Sequence, residues 1–215
     1  SHIGGWIAAG EMRNPIDYGF DIVTTTVHKS MRGPRAGMIL CKEKYAKDID
    51  KSVFPGLQGG PHMNVVAAIA VTMKKVLEPE FKVYAKQVLA NAKTLADHLM
   101  ANSCQLITGG TDNHMMVANT AASYGLNGTE AEHLLDAVNI TCNKQIIPDD
   151  PNPPLKPSGI RLGTPAATSR GMKEQEMKQL ANWIVTTMTH AQDQAKIAKI
   201  KSEVKEFCQG FPVPG

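Results

Sequence analysis

Apolar residues recur at three- and four-residue intervals from Phe81 to Met100, through Ala85, Val88, Leu89, Ala92, Leu95, Ala96 and Leu99. This period predicts an amphipathic helix. Before it, Met63 to Leu77 is almost continuously apolar and predicts a well-buried helix, with Glu78-Pro79-Glu80 as the break between the two. Two more amphipathic helices are predicted near the end of the chain. One runs from Lys173 to Ala191 with Leu180, Ile184 and Met188 on one face, and one from Asp193 to about Gln209 with Ile197, Ile200, Val204 and Phe207 as its stripe. Thr129 to Val138 predicts a further helix. There Thr129 and Glu132 have capping-box spacing, and Gly128 breaks the segment before them.

Short apolar or β-branched runs bounded by Gly and Pro predict buried strands at Asp21–Val27 and Gly37–Cys41. Further short strands are expected at Gln105–Thr108, Met115–Ala118, Ile140–Cys142 and Ile160–Gly163. Pro148 to Pro157 carries too many prolines for regular structure and reads as a loop. Strands alternating with helices place the chain in the α/β or α+β class, with a boundary near the two central helices. Residues 1–80 are expected to form one unit and 81–215 a small α/β unit.

At 215 residues, 42% hydrophobic and 20% charged, the chain is an ordinary globular sequence. A net charge of +3 without a like-charge block gives no argument for a nucleic-acid partner. No apolar run approaches the roughly 20 residues of a bilayer span, so no membrane partner is expected. The chain opens without a charged segment or a leader-like apolar run, so no signal peptide is expected. It also lacks an initiator Met, which suggests a piece of a longer chain, although Ser1-His2 could equally be the remnant of a tag. Cys41, Cys104, Cys142 and Cys208 are too far apart for a zinc or redox motif. They read as reduced, mostly buried thiols in a cytoplasmic protein. His98, His133 and His190 lie on or near helices without metal-ligand spacing.

Three features carry candidate chemistry. Lys29 follows a β-branched strand and opens a polar loop, the place where ligands bind in α/β sheets. A lysine partly removed from water there could form a Schiff base with a carbonyl. A lone lysine is ordinarily a surface residue, but Thr24, Thr25 and Thr26 precede this one and Arg32 and Arg35, both anion donors, follow it. The glycine-rich run Gly56-Leu57-Gln58-Gly59-Gly60 could bring backbone N–H groups against a phosphate, or could be only a turn. Arg161 stands alone on an apolar, glycine-flanked strand. It needs either a structural acid or a substrate carboxylate as its partner.

Taken together, Thr24-Thr25-Thr26-Val27-His28-Lys29-Ser30 with Arg32-Gly33-Pro34-Arg35, then Phe54-Pro55-Gly56-Leu57-Gln58-Gly59-Gly60-Pro61-His62, resemble segments of serine hydroxymethyltransferases. Glu78-Pro79-Glu80-Phe81, Gly109-Gly110-Thr111-Asp112-Asn113-His114 and Ser158-Gly159-Ile160-Arg161-Leu162-Gly163-Thr164-Pro165-Ala166 follow in that family's order. The resemblance covers the whole chain and about the C-terminal half of the family's length. It implies the C-terminal part of a pyridoxal-phosphate-dependent transferase fold: the end of the large domain (1–80) plus the small α/β domain (81–215).

The resemblance also implies roles. Lys29 would hold pyridoxal 5'-phosphate, with Thr26 and His28 tuning it and Arg35 supporting the pocket. Gly59 and Gly60 would donate to the phosphate of a partner subunit, making a homodimer with shared sites. Arg161 would hold the carboxylate of serine or glycine, and the one-carbon unit would pass to tetrahydrofolate. His2 matches the histidine of an Asp-x-x-His motif beside the cofactor's hydroxyl, whose aspartate would lie ahead of Ser1. Gln145 stands where the family often has Asn, near the folate pterin. That departure leaves open a folate-independent aldolase of β-hydroxy amino acids. From the residues alone, a non-catalytic α/β binding domain is also open. The 215-residue chain by itself is expected to be inactive.

Overall fold

The computed structural model describes residues 2–214. The chain divides into two compact units, Ser1–Lys86 and Gln87–Gly215. Their division falls inside one helix.

The first unit contains α1 (Gly4–Ala8), a 3-10 turn (Pro15–Tyr18), strands β1 (Ile22–Thr26) and β2 (Gly37–Cys41), α2 (Glu43–Lys51), a π-type turn (Ser52–Leu57) and α3 (Met63–Val76). The first turns of α4 (Pro79–Ala101) complete it. β1 and β2 pair antiparallel, with Thr26 opposite Gly37. Few residues of this unit are buried: Trp6, Val27, Met31, Val76, Phe81 and Ala85 are its main apolar core.

Both strands lie where the sequence predicts them, but the expectation that they are buried fails. Ile22, Ile39 and Leu40 are all more than 40% exposed. The same holds for α3, expected to be well buried. Met63, Val66 and Val71 are exposed, and only Thr72 and Val76 are buried. The reason is geometric: a two-stranded ladder and one helix cannot cover both faces of each other.

The second unit holds the remainder of α4, β3 (Met115–Asn119), α5 (Thr120–Tyr124), α6 (Gly128–Ala137), β4 (Asn143–Gln145), β5 (Gly159–Gly163), α7 (Pro165–Ser169), α8 (Glu174–Thr189) and α9 (Gln194–Gln209). The strands form an antiparallel sheet in the order β3-β5-β4. Alternation along β5 sends Ile160 and Leu162 into a core with Leu95, Leu99, Leu135, Met177 and Ile184. Arg161 therefore stands on the opposite face of the sheet.

The structure departs from several local expectations. α6 starts at Gly128, capped by Asn127. Asn127 Oδ1 accepts from Thr129 N and Glu130 N, while Glu130 Oε2 accepts from Asn127 N. The capping box is thus two residues earlier than predicted, and Glu132 instead accepts from Lys144 N at 3.2 Å. Gln105–Thr108 is a single bridge, Leu106 to Ala118, running into a 3-10 turn at Ile107–Gly109. The third strand lies at Asn143–Gln145 rather than Ile140–Cys142. There Ile140 is drawn into the core instead, and the pairing falls to the polar residues that follow. Pro148–Pro157 is a loop, as expected. All four cysteines are free, but only Cys104 is buried.

Candidate active site

Lys29 lies on a loop whose flanks are pinned and whose tip is not. Val27 is fully buried, Ser30 and Met31 nearly so, and Lys29 between them is exposed. The pins are specific. Val27 N donates to Ala36 O (2.9 Å), Gly33 N to Val27 O (3.0 Å) and Arg32 N to Lys29 O (2.9 Å). Gly5 N donates to Ser30 Oγ at 2.8 Å, which ties the loop to α1. Gly33 passes so close to α3 that a Cβ would sit 2.7 Å from Thr72 Oγ1. The lysine is presented by a fixed backbone, but not partly removed from water as the sequence reading expected.

Around this loop, the His28 ring meets Ala36 O through Nδ1 at 3.3 Å. Thr26 Oγ1 is buried without a hydrogen-bond partner among the described residues. A buried hydroxyl left unsatisfied costs roughly 1–3 kcal/mol, so such a group marks a place where a polar ligand atom is welcome. Arg32 is exposed, and its guanidinium lies 4.6 Å from the centre of the Tyr84 ring, which orients it through a cation–π contact. Arg35 is exposed and lines a cleft of about 1040 Å³ together with Gly59, Gly60, Thr24 and Thr25. Lys29, His28 and Thr26 are not among the residues lining that cleft. Gly59 and Gly60 have open space where a Cβ would stand, so nothing among the described residues demands glycine there. His2 is half-buried in the turn before α1. Lys29, the unpartnered hydroxyl of Thr26, the arginine and the glycine pair are groups of the kinds that hold an aldehyde-bearing phosphate ester, and in that sense they fit pyridoxal phosphate.

In the second unit Arg161 sits at the centre of the three-stranded sheet, between Val117 on β3 and Asn143 on β4. It is half-buried, and Arg161 Nε donates to Asn143 Oδ1 at 3.1 Å. Among the described residues no carboxylate pairs with it. The structural ion pair that would have explained a lone arginine is therefore not formed. Gly159, two residues before Arg161, is required by close approach: a Cβ there would stand 2.7 Å from Ala118 O and 2.8 Å from Ile147 Cγ2.

Two supporting residues were not picked out by sequence reasoning. Asn143 had no signal beyond its place after a predicted strand. Asp150 binds the start of β5 from inside the proline-rich loop: its carboxylate accepts from Ile147 N, Asn152 N, Ser158 N and Ser158 Oγ. Desolvation pushes its pKa up, but these donors outweigh it and hold the carboxyl far below the usual carboxylate range. An Asp two residues before an Asn in a turn-rich stretch was the available clue. Gln145, also on β4, turns its amide to its neighbour, with Nε2 donating to Ile146 O at 3.1 Å.

Among the described residues no group of His, Cys, Asp and Glu could hold a metal ion, and no helix is long and apolar enough to cross a membrane.

The model of the serine hydroxymethyltransferase family matches residues 1–184, a span that includes Lys29, the Gly59–Gly60 turn and Arg161. A serine hydroxymethyltransferase of Acidobacterium capsulatum is 48% identical over 215 residues, covering 100% of this chain and 50% of that protein. The chain thus spans about half the length of that relative. With its mixed α/β units belonging to a pyridoxal-phosphate-dependent transferase fold, the chain belongs to the serine hydroxymethyltransferase family.

Proposed function

We propose that this chain supplies the lysine and the carboxylate-binding arginine of an enzyme that interconverts serine and glycine, passing the one-carbon unit to tetrahydrofolate with pyridoxal phosphate as cofactor. The observation that carries the reading is Arg161. A half-buried guanidinium with no carboxylate partner among the described residues, on the sheet face away from the core, is suited to take one from a substrate.

Lys29 would hold the cofactor through its amine, on a loop fixed at Val27, Ser30 and Gly33. Thr26 Oγ1, without a hydrogen-bond partner among the described residues, would give or accept one hydrogen bond at the site. His28, braced on Ala36 O, would stand beside the amine, and His2 would lie beside the cofactor's hydroxyl. When bound, pyridoxal phosphate supplies an electron sink for charge developing at the substrate α-carbon. Arg161 would orient the α-carboxylate and so select which bond at that carbon breaks.

Arg35 would support the pocket. Gly59 and Gly60, with nothing crowding their Cα atoms, would offer N–H groups to the phosphate held by a second copy of the chain. The exposed apolar residues around that cleft, Phe54, Val66 and Ile39, favour such a homodimer. The four free thiols suit a reducing cytoplasm. The large-domain part would end near residue 80 and the small domain would begin there.

The test is turnover of serine by the full-length enzyme containing this segment, with and without tetrahydrofolate. Tetrahydrofolate-dependent formation of glycine, abolished by Lys29→Ala and weakened at least about tenfold in KM by Arg161→Lys, is expected. Glycine formation equally fast without the folate would support the aldolase reading. Unchanged turnover in Lys29→Ala would overturn the assignment.

A further inference from the structure

Arg161 has five N–H donors, one on Nε and four on the two Nη atoms. Nε is already engaged by Asn143 Oδ1 at 3.1 Å. Asn143 is not a chance neighbour: it stands directly across the β4–β5 ladder from Arg161. Its orientation is fixed in turn, because Asn143 Nδ2 donates to Lys144 O at 2.8 Å, which leaves Oδ1 as the atom facing the guanidinium. On the other side, the cross-strand neighbour of Arg161 is Val117, which offers no side-chain acceptor. Among the described residues, the arginine side chain is therefore held by a neutral amide alone.

We infer that Asn143 is a positioning residue for carboxylate recognition. It fixes Arg161 through Nε and, because it carries no charge, leaves the guanidinium charge and both Nη groups for an end-on, two-bond grip on the α-carboxylate of the substrate. The inference rests on the proposed role of Arg161 and adds what holds that residue in place. Neutrality is the essential property. An aspartate at 143 would accept from Nε equally well, but it would form a permanent ion pair and compete with the substrate's carboxylate. A side chain without an acceptor would leave the guanidinium free to rotate, and orientation would have to be bought at each binding event.

The experiment compares Asn143→Ala, Asn143→Asp and Arg161→Lys in the full-length enzyme. It reads dissociation constants for glycine and for methylamine, which has no carboxylate, together with kcat and KM for serine and the melting temperature. In Asn143→Ala the glycine Kd should rise about tenfold, while the methylamine Kd stays within about twofold. KM for serine should rise more than kcat falls. In Asn143→Asp the glycine Kd should rise at least as far, although melting is unchanged. A merely structural acceptor would be replaced by aspartate without loss, so wild-type glycine binding in Asn143→Asp would overturn the inference. Equal weakening of glycine and methylamine in Asn143→Ala would also overturn it. If glycine binding is lost in Arg161→Lys but intact in both Asn143 variants, Asn143 is excluded while the role of Arg161 stands. Wild-type glycine binding in Arg161→Lys would remove both.

Discussion

Ser158 is bound twice by Asp150: its backbone N–H donates to Oδ2 at 2.9 Å and its hydroxyl to Oδ1 at 2.6 Å. Ser158 immediately precedes β5, the strand that carries Arg161. The proline-rich loop is thus clamped by one carboxylate where the arginine strand begins. A carboxylate that accepts several N–H and O–H donors stays ionised well below its ordinary range. Its folded-state pKa lies below the ordinary aspartate value of 3.8, so its contribution to stability is complete above about pH 4. That contribution falls away progressively as the pH drops toward the folded-state value. Melting temperatures of the chain and of Asp150→Asn should differ by a steady amount above about pH 5, and the gap should shrink progressively as the pH falls below about 4. A gap independent of pH would contradict this account of the clamp.

A second prediction concerns Asn91, which is fully buried. Its Nδ2 donates to Thr168 Oγ1 (2.8 Å) and to Met172 O (2.9 Å), and its Oδ1 accepts from Gln87 Nε2 (3.0 Å). These bonds tie α4 to α7 and to the start of the segment that leads into α8. Asn91→Leu keeps the volume close but leaves the Met172 carbonyl and the Thr168 hydroxyl each short of a partner. A loss of about 2–3 kcal/mol is expected from denaturant unfolding. A loss under about 0.5 kcal/mol would show that water replaces the amide.

The first unit leads to a prediction about association. Leu57, Met63, Phe54, Val71 and Ile22 are all exposed, and the β1–β2 ladder is only two strands wide. Open ladder edges and apolar surface of this kind draw in other chains. In sedimentation, the 215-residue chain should run as species heavier than its 23.2 kDa. Val66→Glu with Val71→Glu should shift it toward monomer. A concentration-independent monomer before substitution would contradict the prediction.

Much of the architecture was legible from the sequence. The three- and four-residue periods at Phe81–Met100, Lys173–Ala191 and Asp193–Gln209 correspond to α4, α8 and α9, because each of these helices buries a single stripe in a core it can reach. α3 shows the limit. Its apolar content predicted a helix correctly, but whether such a helix is buried depends on what covers it, which periodicity does not encode. The displaced strand shows a second limit. β4 is Asn143-Lys144-Gln145, residue types that rarely favour strands, and it exists because β5 offers it a ladder. Arg161 stood out as a lone cation among apolar neighbours. Its holder Asn143 did not, because that contact is made across the sheet between residues with no shared local pattern. The capping box was misplaced for a simpler reason: two overlapping segments, Asn127–Glu130 and Thr129–Glu132, have the same spacing, and only the backbone geometry separates them.

The most direct test of the central claim is the attachment point of the cofactor. The full-length enzyme containing this segment would be incubated with pyridoxal phosphate and treated with borohydride, which fixes a carbonyl bound to an amine as a stable secondary amine. It would then be digested and its peptides weighed by mass spectrometry. One added pyridoxyl group per chain is expected, on the peptide that contains Lys29, and none in Lys29→Ala. A group fixed on another lysine, or spread over many exposed lysines while Lys29 stays unmodified, would contradict it.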